Sequence, residues 1–155
     1  MAHSRLDMRP AVAAAAILAL AACSKPAADR LPSDALDQAI GVAIGDPATC
    51  VILADRATGK IRYRYGERFN CERPLAACDR PGTLNATIAL PLAATGRHAS
   101  CASTPDGSRS VGWAEGKVVG ARRDLVYSAV MEGQRALPGE EIEGRLADVF
   151  KRVGL

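Results

Sequence analysis

The sequence predicts an α+β domain: one mainly antiparallel five-stranded sheet with N- and C-terminal helices packed on it. Three patterns support this architecture. An apolar segment at residues 50–55 precedes an alternating one at 60–65, residues 125–131 are apolar on both faces, and the C-terminus carries an amphipathic helix. Alternation is typical of a strand with one buried face, whereas a segment that is apolar on both faces is typical of a central strand.

The domain begins with a predicted helix and a β-hairpin. Ser33 is the predicted N-cap, and apolar side chains follow at helical spacing: Leu36, Ile40, Ala43 and Ile44. A turn at Gly59 joins the two strands of the hairpin. Alternation in the second strand places Ile61, Tyr63 and Tyr65 on one face and Lys60, Arg62 and Arg64 on the other. A cationic outer face suits an exposed edge strand, since charge discourages association between sheet edges.

The middle of the chain is irregular at residues 67–81. Residues 83–95 are predicted to be helical up to Gly96, with Pro91 kinking or shortening the helix. Strands are predicted at residues 98–103, 109–115 and 125–131, and the last is expected beside residues 50–55 at the centre of the sheet. A final helix follows Gly139, and its apolar stripe is formed by Ile142, Leu146, Val149, Phe150 and Val153.

The N-terminal segment reads as a targeting signal. Arg5 and Arg9 precede an uncharged apolar run at residues 11–22, which is shorter than the roughly 20 residues of a membrane-spanning helix. The run ends in LAAC at residues 20–23, which resembles the lipobox of bacterial lipoproteins. The resemblance implies a signal peptide at residues 1–22, lipid on the Cys23 thiol, a tether at 23–32 and a single domain at 33–155. Either Met1 or Met8 can serve as the start, and an ordinary secretory signal is the alternative.

The same resemblance implies a location and a partner. Lipid on Cys23 would hold the protein on a membrane of the cell envelope. Ser24 stands where an Asp retains lipoproteins at the inner membrane, which favours the outer membrane facing the periplasm. Nucleic acid is not an expected partner, because the formal net charge is only +3 and the cations are scattered. The domain is instead expected to bind an envelope protein or a glycan.

Four cysteines remain when Cys23 carries lipid: Cys50, Cys71, Cys78 and Cys101. An even number in an exported chain predicts two disulfides. The hairpin brings Cys50 near Cys71. Cys101 would be separated from Cys50 by two intervening strands, about 14 Å away, which is beyond the roughly 7 Å limit between bridged Cα atoms. Cys50–Cys71 with Cys78–Cys101 is therefore favoured, and a local Cys71–Cys78 bridge stays open. No metal or other cofactor is expected, because the chain lacks Cys-x-x-Cys and has only His98 as a histidine after the signal.

Two regions resemble serine β-lactamases and penicillin-binding transpeptidases. Residues 48–60 (ATCVILADRATGK) are similar to their opening hairpin, and residues 111–116 (VGWAEG) with 125–131 (LVYSAVM) are similar to their closing strands. The final helix fits as well. The resemblance implies a pared-down core without the chemistry, because the chain lacks Ser-x-x-Lys, Ser-Asp-Asn and Lys-Thr-Gly. An α-β-β-α-β-β-β-α binding platform of the roadblock or profilin type explains the same order of elements.

Several residue groups could carry chemistry or bind a ligand. His98 with Ser100, Ser103 or Asp106 is a candidate hydrolase group, and Glu140, Glu141 and Glu143 are candidate paired acids. Trp113 and Tyr127 could line a groove, and Ser108, Arg109 and Ser110 beside Asp106 could hold an anion. A structural role is expected for each group, so no catalytic residue is assigned. The leading hypothesis is a non-enzymatic envelope lipoprotein that acts as a binding or structural module. The alternative is a β-lactamase-like hydrolase or peptidoglycan enzyme with an unrecognised nucleophile.

Overall fold

A computed structural model describes residues 30–121 and 123–155. The chain divides into two units, Met1–Arg30 and Leu31–Leu155. The predicted signal peptide, Cys23 and most of the predicted tether lie outside the described residues. Of the first unit only Arg30 is described, and it is exposed. The second unit contains all of the helices and strands discussed below.

Four α-helices, seven strands and a 3-10 helix follow one another in the described part of the chain. They are α1 (Ser33–Ile44), β1 (Cys50–Asp55), β2 (Ile61–Tyr65), α2 (Arg68–Glu72), β3 (Leu75–Ala76), β4 (Thr83–Leu84), α3 (Ala86–Ala89), the 3-10 helix (Leu90–Thr95), β5 (Arg97–Ala102), β6 (Ser110–Lys117), β7 (Leu125–Gly133) and α4 (Gly139–Arg152).

Five strands form the main sheet in the order β2-β1-β7-β6-β5, and every neighbouring pair is antiparallel. The predicted α+β class and five-stranded sheet are confirmed. β7 lies between β1 and β6 and is buried from Leu125 to Glu132, as expected for a central strand. β2 is an edge strand, as predicted, and β5 forms the opposite edge. β3 and β4 form a separate two-stranded sheet.

The helices α1 and α4 pack together on one face of the sheet. Their buried side chains form a single apolar cluster with β1 and β7: Leu36, Ile40, Ile44, Val51, Leu53, Tyr127, Ala129, Met131, Ile142, Leu146, Val149 and Phe150. The rings of Tyr127 and Phe150 meet edge to face, with centroids 5.3 Å apart. The predicted stripe of α4 is confirmed as the face that packs on the sheet, with Val153 partly buried at its end.

The opposite face of the sheet is covered by a second layer, which we define as residues 67–96 with α2, β3, β4, α3 and the 3-10 helix. This layer forms its own apolar cluster with the sheet, which includes Trp113, Ile52 and Val130.

The sequence predicts an exposed cationic face on β2, and that prediction is wrong for Arg64. Arg64 is only partly exposed, and its Nε atom is buried without a hydrogen-bond partner among the described residues.

A β-bulge changes the predicted faces of β2. Tyr65 is paired with Val51 and Tyr63 with Leu53, but Ile61 is paired with Ala54, so Arg62 is the extra residue. Tyr63 and Tyr65 consequently pack on the side of α1, whereas Ile61 packs on the second layer. The prediction that Ile61 shares a face with the two tyrosines is therefore wrong.

Two disulfides join the second layer to the sheet. Cys50 of β1 is bridged to Cys71 of α2, and Cys78 is bridged to Cys101 of β5. This is the pairing favoured above, and the Cys71–Cys78 alternative is excluded. The strand order behind the argument is also confirmed, since β7 and β6 lie between β1 and β5.

Two local predictions about helices are wrong. Pro32, not Ser33, occupies the N-cap of α1, and the Ser33 hydroxyl donates to the Leu31 carbonyl at 3.4 Å. Residues 83–95 form no single helix: β4 pairs first, Asn85 then caps α3, and the chain continues as a 3-10 helix containing Pro91. Proline lacks the N–H that an α-helix needs, which shortens α3. Gly96 ends the segment at a φ of 71°, as its position predicts.

Truncation of Phe150 should destabilise the domain. The ring is 3% exposed and packs between α4 and β7, so Phe150→Ala is expected to cost about 3–5 kcal/mol in the free energy of unfolding. Chemical denaturation measures this. Val42→Ala, at a helical position that is 80% exposed, is the control and should change it by less than about 0.5 kcal/mol. A loss below about 1 kcal/mol for Phe150→Ala would contradict the packing of α4.

Candidate functional site

The structure separates the members of the candidate hydrolase group. His98 and Ser100 lie on β5, on the side of α4. The His98 Nδ1 atom is 2.8 Å from a Glu143 carboxylate oxygen, and the Ser100 hydroxyl accepts a hydrogen bond from the Gly139 N–H at 2.7 Å. Ser100 thus satisfies a backbone donor at the start of α4. Both side chains connect β5 to α4.

Ser103 and Asp106 face other partners. The Ser103 hydroxyl donates to Glu132 at 2.9 Å. Asp106 accepts hydrogen bonds from the backbone N–H and the hydroxyl of Ser108, which closes the turn between β5 and β6. Hydrogen bonds from Thr104 and Ser108 hold the pKa of Asp106 at about 2. These contacts are those of a folded turn, and they do not bring a nucleophile together with a base.

The aromatic and acidic candidates also have structural partners. Trp113 is fully buried, and its indole N–H donates to the Ala76 carbonyl at 2.8 Å, which ties β3 to the sheet. Tyr127 is buried against Phe150, and burial raises the pKa of its phenol. Glu141 lies in the exposed first turn of α4 and pairs with Arg145. The two aromatic residues therefore belong to the core.

A polar row crosses the face of the sheet that lies under the second layer. Cross-strand pairing places Arg64, Ile52, Ser128, Glu115 and Arg97 side by side from one edge of the sheet to the other. The Glu115 carboxylate is fully buried and accepts two hydrogen bonds from the Arg97 guanidinium. The Ser128 hydroxyl is fully buried and has no hydrogen-bond partner in the part of the chain that the structure describes.

Arg97 connects the sheet to the second layer. Besides pairing with Glu115, it donates to the Ala77 carbonyl and to the Asp79 carboxylate. Hydrogen bonds from Arg80 and Arg97 lower the pKa of Asp79. The buried charge of Glu115 is thereby compensated, which an unpaired carboxylate at this depth would not be. Because Ala86, Ala89 and Ala93 are buried over this face, the row is part of the core.

A second ionic cluster lies where β7 ends. Glu132 is 6% exposed. Its carboxylate accepts hydrogen bonds from Arg109 Nε and Nη2 at 2.8 and 2.7 Å and from Arg73 Nη2 at 3.0 Å. Hydrogen bonding by Arg109, and then by Ser103, holds the pKa of Glu132 at about 2 against the desolvation that raises it. The sequence suggests Arg109 as part of a site for a bound anion. In the structure, the anion that Arg109 binds is the Glu132 carboxylate of the same chain.

We define the loop end of the domain as the end that carries the α1–β1, β2–α2, β5–β6 and β7–α4 connections. Two open grooves lie there and share Asp46 and Pro47. The larger, of about 650 Å3, is lined by Asp37, Gly41, Gly45, Asp46, Pro47, Tyr65, Gly66 and Glu67. The smaller, of about 390 Å3, is lined by Asp46, Pro47, Ala48, Arg109, Glu132, Gly133, Gln134 and Arg135.

Close backbone packing shapes the larger groove. Gly66 has a φ of 84°, and a Cβ there would stand 2.1 Å from the Thr49 carbonyl oxygen, so only glycine fits. The Asn70 amide of α2 donates to the Pro47 carbonyl at 2.7 Å, which fixes the loop from α1 to β1. The Tyr65 hydroxyl lies against Gly41. The groove is therefore held from both sides by α1 and the start of the second layer.

A third groove, of about 270 Å3, opens at the other end of the sheet. Its walls are mostly apolar and include Ile61, Leu90, Pro91 and Val126, with Arg56 at its rim. Within residues 30–121 and 123–155, no group of three or more His, Cys, Asp or Glu residues is placed to hold a metal ion. None of the helices described there is both long and apolar enough to cross a membrane.

Comparison of the chain with protein-family models, with curated proteins and with solved structures found no match. Its function therefore has to be inferred from its own residues. The grooves at the loop end were not identified from the sequence, because their walls come from loops far apart in the chain. Gly45 and Gly66, at the ends of α1 and β2, are the sequence signals that mark their positions.

Replacement of Glu132 should remove part of the acid sensitivity of the domain. Because the folded-state pKa lies below the ordinary value of 4.5, the ion cluster stabilises the fold fully above about pH 4.5 and loses this contribution as the pH falls towards about 2. Glu132→Gln should cost about 3 kcal/mol at pH 7, the lower end of the effect of breaking a buried ion pair, since the two arginines that lose their partner are partly exposed. Its stability should then vary less than that of the wild type between pH 4.5 and 2.

The control for this prediction is Glu72→Gln. Glu72 pairs with Arg68 one helical turn away on the exposed surface, where such a pair contributes about 0.3–0.5 kcal/mol. Thermal denaturation from pH 2 to pH 7 compares both variants with the wild type. An equal, small effect of the two substitutions would contradict the assignment of Glu132 as a buried ionic centre.

Proposed function

We propose that this chain is a lipid-anchored protein of the bacterial cell envelope whose domain is a non-catalytic module that binds a cell-wall glycan at the loop end. The LAAC motif at residues 20–23, after an uncharged apolar run, carries the proposal. Lipid on Cys23 would place the domain beside a membrane, and Ser24 favours the outer membrane on the periplasmic side. Two disulfides support export, because such bonds persist in oxidising compartments.

The contacts of the polar side chains support a non-catalytic role. A serine nucleophile needs an adjacent base and access to its substrate. Ser100 accepts a hydrogen bond from Gly139 and Ser103 donates to Glu132, while Ser128 is fully buried beneath the second layer. Each candidate serine thus has a structural partner or lies in the core.

The chemistry of the loop end supports a glycan as the partner. Its two grooves are open and present carboxylate, guanidinium and amide groups together with the Tyr65 phenol. A helical peptide would need a continuous apolar groove, whereas a hydroxyl-rich polymer can use many dispersed polar groups. The glycines of the larger groove leave the backbone accessible at Gly41 and Gly45.

The anchor is tested by Cys23→Ser. With lipid on Cys23 the protein should fractionate with membranes and should float with vesicles, because several acyl chains hold a protein firmly. Cys23→Ser should leave the membrane fraction and remain unprocessed at that site. Intact-mass analysis of the mature N-terminus provides the second measurement. An unchanged membrane fraction for Cys23→Ser, or a mature N-terminus elsewhere, would refute the anchor.

Glycan binding is tested by co-sedimentation with purified cell-wall sacculi. The double variant Glu67→Ala/Arg135→Ala removes an exposed side chain from each groove, and it should weaken binding about tenfold if the two contacts together are worth about 1.4 kcal/mol. Lys151→Ala, on the exposed surface of α4, is the matched control and should bind like the wild type. Equal binding by the double variant, or none by the wild type, would contradict the glycan proposal.

The alternative function is a hydrolase or peptidoglycan enzyme of the β-lactamase type. The order of a hairpin, the two closing strands β6 and β7 and a final helix favours it, because this is the order that the sequence resemblance implies. A fluorescent penicillin separates the two proposals. Stable labelling of a single serine would support the hydrolase and contradict the non-catalytic binding module. An unlabelled protein that binds sacculi would support the binding module.

A further inference from the structure

We infer that the end of the domain opposite the grooves is a docking surface for an anionic lipid membrane. We define this turn end by the β1–β2 turn, the β6–β7 loop, the start of α1 and the C-terminus that follows α4. The inference rests on the proposed lipid anchor and extends it, because it fixes which way the anchored domain faces.

The helix α1 begins at the turn end, so the chain that follows the proposed anchor enters the domain there. The Tyr65 hydroxyl lies against Gly41, while the Tyr63 hydroxyl donates to Asp37 at 2.6 Å, one helical turn earlier. Tyr65 is paired with Val51 and Tyr63 with Leu53. The helix therefore runs antiparallel to β1, and its first residues lie where β1 ends. Leu31, just before α1, packs against the same core cluster.

The other segments of the turn end are tied to one another. The Arg56 N–H donates to the Asp124 carbonyl at 2.9 Å, and the two side chains form an ion pair, which joins the β1–β2 turn to the β6–β7 loop. The Leu155 carbonyl lies 3.8 Å from the position of a Cβ on Gly120, so the C-terminus contacts the same loop. These contacts make one continuous surface.

This surface combines exposed cations with an exposed apolar tip. Val119 of the β6–β7 loop is 88% exposed, although the neighbouring Val118 is buried in the core. Cationic side chains lie in the segments of the turn end or next to them: Lys60, Lys117, Lys151 and Arg152 are exposed, and Arg123 is partly exposed. Asp124 is paired with Arg56, and Asp55 accepts hydrogen bonds from the backbone and side chain of Thr58 within its own turn. Asp34 at the start of α1 and the C-terminal carboxylate add negative charge to the same end. Among the described residues the six cations of the turn end, Arg56 included, exceed its four carboxylates by two, so the surface keeps a modest positive charge.

The length of the tether allows this contact. The residues between Cys23 and the domain, 24–32, can span at most about 32 Å when fully extended. A lipid on Cys23 would thus keep the turn end within that distance of the membrane, where each nearby Lys or Arg is attracted by anionic lipid. A second copy of the chain is a poorer occupant, because two such cationic surfaces repel each other.

Depth-dependent quenching of tryptophan tests the orientation. The full lipidated chain is reconstituted in vesicles of phosphatidylcholine and phosphatidylglycerol that contain brominated acyl chains. Trp113 is the single tryptophan and is fully buried, so the wild type supplies the background. Val119→Trp places a reporter at the turn end, and Phe69→Trp places a matched one on α2, at a position 69% exposed. Both sites are exposed, so both variants should fold.

The expected result is about twofold quenching of Val119→Trp and none above background for Phe69→Trp, because only the first side chain would reach the acyl region. Quenching of Val119→Trp should fall in 1 M salt, where the Debye length is about 3 Å. Quenching of Val119→Trp should also fall when Lys60→Glu/Lys151→Glu is added to the reporter variant. It should not fall when Arg135→Glu, at the loop end, is added instead. Equal quenching of the two reporters, or stronger quenching of Phe69→Trp, would overturn the inference.

Flotation separates this inference from the lipid anchor on which it rests. The reconstituted chain should float with vesicles of phosphatidylcholine alone, since the anchor needs no anionic lipid. Failure to float would refute the anchor and the docking surface together. Flotation without quenching of Val119→Trp would refute the docking surface alone.

Discussion

The second layer depends on two covalent links to the sheet. Its elements are short, and four of the side chains that it buries are alanines: Ala77, Ala86, Ala89 and Ala93. Alanine buries little apolar area, so hydrophobic burial stabilises this layer less than it stabilises α1 and α4. Cys50–Cys71 attaches one part of the layer to β1, and Cys78–Cys101 attaches another part to the far edge of the sheet. Closing loops of this length stabilises a fold by about 3 kcal/mol each.

The polar groups beneath the second layer follow from that attachment. Trp113 donates to a carbonyl of β3, and Arg97 reaches both the buried Glu115 and the Ala77 carbonyl. These bonds need the layer to lie close to the sheet, because a buried carboxylate or indole N–H without its partner is unfavourable. Reduction of the disulfides would therefore weaken the ionic bridge of Arg97 as well as the apolar contacts. This dependence supports export to an oxidising compartment.

The sequence predicts what local patterns specify and misses what distant residues specify. Apolar and alternating segments predicted the hairpin, the central β7 and the stripe of α4 that contains Leu146 and Phe150. The bulge at Arg62 breaks the alternation by one residue, and nothing in the alternation itself signals it. The sequence also did not predict that the second layer covers the other face of the sheet, or which residues pair with Arg109. Glu132 lies 23 residues from Arg109 in the chain, and only the pairing of β6 with β7 brings them together.

The alternating directions of the strands separate the two ends of the domain. With β1, β7 and β6 antiparallel, the β1–β2 turn and the β6–β7 loop lie at one end, and the connections that form the grooves lie at the other. The nine residues of β7, Leu125–Gly133, span about 27 Å between these ends. A domain whose turn end contacts a membrane would hold its grooves roughly that far from the lipid surface, open to the periplasm. Anchoring and binding would then use opposite ends of one rigid sheet, so neither contact would obstruct the other.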